Sequence, residues 1–145
     1  MNLSSFARLL LAALAAFIFS GLYYGLVVGA TWRELSGASD AAGAMALWQP
    51  LAQFARNLVV AAALTVVFRR ASITSLRSAI GLSTVLWLGF QAMAIAGSVI
   101  HEQYPLALYA IHTVDQLGTM LVMAFCLVFR WTPRRQSAVA RAGAR

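Results

Sequence analysis

The chain reads as four long apolar runs separated by short polar breaks. The runs cover residues 9–30, 47–68, 78–100 and 106–129. At ~1.5 Å of rise per residue each crosses ~30 Å of hydrocarbon as a helix. The first and third contain no charge, the second contains Arg56 and the fourth contains Asp115. None alternates apolar and polar residues as a lipid-facing barrel strand must, which excludes a barrel. The pattern predicts an all-α fold: an integral membrane four-helix bundle over residues 1–132 and a basic tail over residues 133–145. Ala13-Leu14-Ala15 resembles a signal-peptide cleavage site, but the apolar run continues for about 15 residues beyond it. The first run is therefore expected to be a retained span.

Composition agrees, with 61% hydrophobic residues against 10% charged; soluble domains carry roughly 45–50% and about 25%. The 11 basic residues outnumber the 4 acidic ones, giving a net charge of +7. That balance would suggest nucleic acid if the cations shared a water-facing surface, but they gather at the ends of the spans. Arg8, Arg69, Arg70, Arg77, Arg130, Arg134, Arg135, Arg141 and Arg145 fall on one side, and Arg33 alone on the other. The asymmetry predicts cytoplasmic termini in a bacterial inner (plasma) membrane, with a flexible loop over residues 31–46 and a tight turn over 100–105 outside. Glu34, Asp40 and Glu102 lie on that outer side, and Trp32, Trp48, Tyr104 and Trp131 sit where an aromatic belt would place them. Arg130-Trp131-Thr132-Pro133-Arg134-Arg135 reads first as a stop-transfer anchor and second as an anionic-lipid or partner site. Cys126 is the single cysteine, which excludes an internal disulfide and a cysteine-built metal site.

Because lipid is as apolar as leucine, helix association in a membrane needs close backbone approach or polar contacts. Gly21, Gly25 and Gly29 recur every four residues and predict a flat packing stripe on the first span, the alternatives being a glycine-lined conduit or a dimer seam. Gly21-Leu22-Tyr23-Tyr24 followed by Gly29-Ala30-Thr31-Trp32 resembles the pattern of a small membrane family known as domain of unknown function 1761. Leu86-Trp87-Leu88-Gly89-Phe90 is similar to that family's central segment, and His101-Glu102-Gln103-Tyr104-Pro105-Leu106 with Tyr109 to its last turn. The likeness runs from about Leu9 to Trp131. It implies a four-helix membrane protein and brings no activity with it.

The membrane should exclude polar residues, so those it admits are the candidate site. Gln53, Arg56 and Asn57 share one face of the second span, and His112, Asp115 and Gln116 repeat that spacing on the fourth. Arg56 lies ~18 Å above residue 68 and Asp115 ~21 Å above residue 129, nearly the same depth. Gln91 and Tyr24, with Tyr23, come to the same layer from the third and first spans. Arg56 has three readings: it snorkels to the outer interface, pairs with Asp115 to fix helix register, or joins Asp115 and His112 in a site that binds or moves something.

No enzyme is expected. Ser20, Ser83, Thr84 and Ser98 have no paired base at a recognisable spacing, and phosphate loops, HExxH and CxxC are absent from the sequence. His101 and His112 lie at unequal depths, against haem ligation, so neither metal nor cofactor is expected. The expected partners are the lipid bilayer and either a second copy or another membrane protein. The expected role is a non-enzymatic scaffold or accessory subunit. The alternative is a small transporter or channel that binds a proton or small anion in the polar layer.

Overall fold

The structure is a computed structural model that describes residues 3–37 and 46–129, so the basic tail lies outside the described residues. Those residues form helices and no strand: α1 (Leu3–Leu22), α2 (Gly29–Ser36), α3 (Trp48–Arg70), α4 (Leu76–Leu86), α5 (Met93–His101) and α6 (Leu106–Val128). A π-helical turn at Tyr23–Val27 separates α1 from α2, and a second at Trp87–Ala92 joins α4 to α5. Four stretches are long and apolar enough to cross a membrane: Ser5–Val27, Trp48–Arg70, Leu76–His101 and Leu106–Val128.

Local chemistry sets the helix ends. Pro50 falls in the first turn of α3, where its missing N–H costs nothing, and Gln49 Oε1 accepts from Ala46 N–H at 3.1 Å. Ser75 caps α4 by accepting from Ser78 N–H at 3.1 Å. Pro105 opens α6 after a turn in which Gln103 adopts φ 54°. The connection between the first and second long helices differs from the flexible segment expected over residues 31–46. Its first part is helix α2, which ends at Gly37 in the left-handed conformation. Residues 38–45 lie outside the described set.

α6 is the hub. It packs along α1 on one side and along α4 with its π turn on the other, and α1 also packs on α3. The closest contacts are made by small side chains. Ala12, Ala13, Ala16, Ala61, Ala79 and Ala124 are all 0% exposed, whereas Leu26 and Leu47 are 80% and 83% exposed. The Ala12, Ala16, Ser20 row at every fourth residue is the face α1 buries.

The glycine stripe therefore needs correction. A Cβ at Gly21 or Gly25 would meet nothing within 4 Å, so these two mediate no packing within the described chain. The row beginning at Ala12 turns the opposite face of the helix inward. Gly29 has a different and local duty. The π turn pushes the Tyr24 carbonyl outward against the Gly29 Cα, where any Cβ would collide with it. The glycine that lets α1 and α6 meet is Gly118, whose Cα lies beneath the Phe19 ring.

Candidate functional site

The polar layer assembles on α6, but with different partners from those the spacing suggests. Continuing the buried α1 row from Ser20 by four residues reaches Tyr24, at the start of the first π turn. Its hydroxyl shares a 2.6 Å hydrogen bond with His112 Nδ1. One turn deeper on the antiparallel pair, buried Ser20 lies beside the buried Asp115 carboxylate. From the other side, Trp87 at the start of the second π turn donates its indole N–H to the Thr113 carbonyl at 2.8 Å. Two hydrogen bonds and one close polar contact thus join α6 to its two neighbours within a single turn of its length. The two hydrogen bonds are made by Tyr24 and Trp87, which stand at the starts of the π turns and are the next steps, four residues on, of the buried rows that end at Ser20 and Ser83.

Aromatic rings border the layer. Tyr24 meets Trp32 edge-on at 5.7 Å, Tyr104 stacks on His112 at 6.2 Å, and Phe19 stacks on Tyr23 at 6.4 Å. Burial raises the Tyr104 phenol above its ordinary value of 10.0, which keeps it a protonated donor at neutral pH.

Arg56 and Asp115 do not form an ion pair. Arg56 is exposed and donates to Gln53 Oε1 at 3.5 Å, a long contact on its own helix face. Asp115 is 4% exposed. Gln53 beside it is half-buried, while Asn57, one residue on, turns inward and is 2% exposed. Gln116 is half-buried, and its carbonyl accepts the Thr119 hydroxyl at 3.0 Å. Four polar atoms in the packed region have no partner: Asn57 Nδ2, Ser83 Oγ, Gln91 Oε1 and Asp115 Oδ1. They come from α3, α4, the second π turn and α6.

Ser20, Ser83, Trp87, Thr113 and Gly118 complete the site and were missed as members of it. Ser20 and Ser83 look in sequence like catalytic hydroxyls without a base. Their signal is position instead: Ser20 continues the alanine row of α1, and Ser83 lies four residues beyond buried Ala79 on α4. No group of three metal-ligating side chains occurs among the described residues.

The family described as "Protein of unknown function (DUF1761)" matches residues 8–128, which takes in all four long helices and every residue of the layer. The chain belongs to that family. No curated protein and no solved structure matches it. In this DUF1761 chain the aromatic motifs that mark the resemblance, Tyr23-Tyr24 and Trp87, are the residues that open the two π turns.

Proposed function

We propose that this DUF1761 protein crosses a bacterial inner membrane four times as a helical bundle, with both termini in the cytoplasm. Its role is non-catalytic, as a scaffold or accessory subunit whose polar layer fixes the register of α1, α4 and α6. The observation that carries this reading is the pair of cross-helix hydrogen bonds at one depth, made by Tyr24 and Trp87 to α6, with buried Ser20 and Asp115 side by side one turn deeper. Membrane insertion is supported by the inverted burial pattern: alanines fill the packed interior while leucines, valines and phenylalanines cover the outside. The partners are then the bilayer and a second copy or another membrane protein.

Orientation rests on the arginine asymmetry. Cysteines introduced by Ser36→Cys and Ser75→Cys, in a Cys126→Ser background, should differ in reactivity toward an impermeant thiol reagent added to whole cells or spheroplasts. Ser36→Cys is expected to label and Ser75→Cys to stay protected, and the reverse pattern would invert the topology.

A second reading is favoured by Asp115, a carboxylate buried at this depth with one oxygen unpartnered and no cation bonded to it. Such a group is a proton-binding site by default in a membrane. Proton flux into liposomes containing the full chain separates the two. The scaffold reading expects flux equal to protein-free vesicles. The transport reading expects flux above that level which Asp115→Asn abolishes.

A further inference from the structure

At the opposite end of the molecule from the aromatic rings, a cup of about 450 Å³ opens between the start of α1, the end of α3, the α3–α4 loop and the end of α6. Its volume falls in the ~300–1,000 Å³ range of small-molecule sites. Two arginines line it from different helices, Arg8 on α1 and Arg69 on α3. Four hydroxyls join them, from Ser5, Thr65, Ser72 and Thr74. Among the described residues, no acidic side chain lines the cup. Phe68 and Ile73 form an apolar floor continuous with the packed core.

The backbone of the loop adds an independent observation. α3 ends in a Schellman turn, in which Ile73 N–H donates to the Phe68 carbonyl at 2.8 Å and Ser72 N–H to the Arg69 carbonyl at 3.2 Å. The left-handed residue of that turn is Ser72, with φ 52°, where glycine would sit at lower cost. The strained position thus carries a hydroxyl at the rim of the cup in place of the hydrogen of a glycine.

We propose that this cup binds the phosphate group of an anionic ligand, held between Arg8 and Arg69 and hydrogen-bonded by the loop hydroxyls, with its apolar substituent against Phe68 and Ile73. Arginine forks and hydroxyl donors match the oxygens of a phosphate ester, and the apolar floor matches the carbon that such an ester carries. The ligand comes either from a phospholipid of the surrounding leaflet or from a soluble phosphate ester. The site is independent of what the polar layer does.

The test uses the purified full chain in mild detergent, with bound ligands counted by native mass spectrometry. Phosphatidylglycerol, diacylglycerol without a phosphate, and glycerol phosphate are added separately. Retention of phosphatidylglycerol over diacylglycerol, weakened about tenfold by Arg69→Gln and unchanged by Arg70→Gln, is the expected result. Arg70 is adjacent in sequence but does not line the cup. Glycerol phosphate that competes phosphatidylglycerol off at equal concentration assigns the site to a soluble ester, and failure to compete assigns it to lipid. Thr74→Val gives a second reading of the same site that keeps both charges, and it should also weaken binding. Equal retention of phosphatidylglycerol and diacylglycerol, or equal losses in Arg69→Gln and Arg70→Gln, would overturn the proposal.

Discussion

Gly118→Leu is expected to be the most damaging single substitution within the transmembrane helices. The Gly118 Cα lies beneath the Phe19 ring, and a Cβ there would overlap that ring. To make room the half-buried ring must leave its stack on Tyr23, the neighbour of the residue that bonds His112. Adding the methyl of Gly118→Ala should therefore cost about 1–3 kcal/mol through overpacking, and Gly118→Leu more, by forcing α1 off α6. Gly21→Ala supplies the matched control. Its Cβ would enter open space, so it should be neutral or stabilise the helix by up to ~1 kcal/mol. Thermal unfolding in detergent measures all three. Equal melting of Gly21→Ala and Gly118→Ala would show that the α1–α6 contact does not depend on this approach.

Trp87→Ala is expected to rank next, with a loss of about 3–5 kcal/mol for truncating a packed tryptophan. Trp87 does two things at once. Its ring packs against the buried cluster, and its indole N–H reaches the Thr113 carbonyl across the α4–α6 contact. Trp87→Phe separates the two, since it keeps most of the ring and removes the donor. It should lose about 0.5–1.5 kcal/mol, the net worth of one hydrogen bond, because the Thr113 carbonyl keeps its backbone bond within α6. A Trp87→Phe protein as stable as the original would show that the ring alone holds α4 to α6.

The four spans were legible because a run of about 20 apolar residues has few other uses, and each is found as a long helix within a few residues of its expected ends. The inner faces were not. Gly21 and Gly25 carry the familiar signal of close packing, yet the buried face of α1 is the alanine row from Ala12, which looks unremarkable in a run already full of alanine and leucine. Spacing placed Arg56 and Asp115 at one depth but not at one angle about their helices. Asn57 turns inward beside Arg56, and a rotation of one residue, ~100°, takes a charge from the interior to the outside. The π turns add a separate reason, confined to the residues beyond them on the first and third apolar runs. Each inserts an extra residue and rotates everything beyond it, so periodicity counted along an ideal helix loses the face at Tyr23 and again at Trp87.

The claim that the polar layer ties the helices together is tested most directly by a double-mutant cycle on Tyr24 and His112. Tyr24→Phe, His112→Leu and the pair are each unfolded in the same detergent, and the coupling is taken from the four stabilities. Polar contacts between membrane helices average about 0.6 kcal/mol and reach about 1.7 kcal/mol. A 2.6 Å contact between partly buried groups should fall in the upper part of that range. Coupling of about 1 kcal/mol or more is the predicted result. Coupling below about 0.3 kcal/mol, with the two single losses simply adding, would contradict the account.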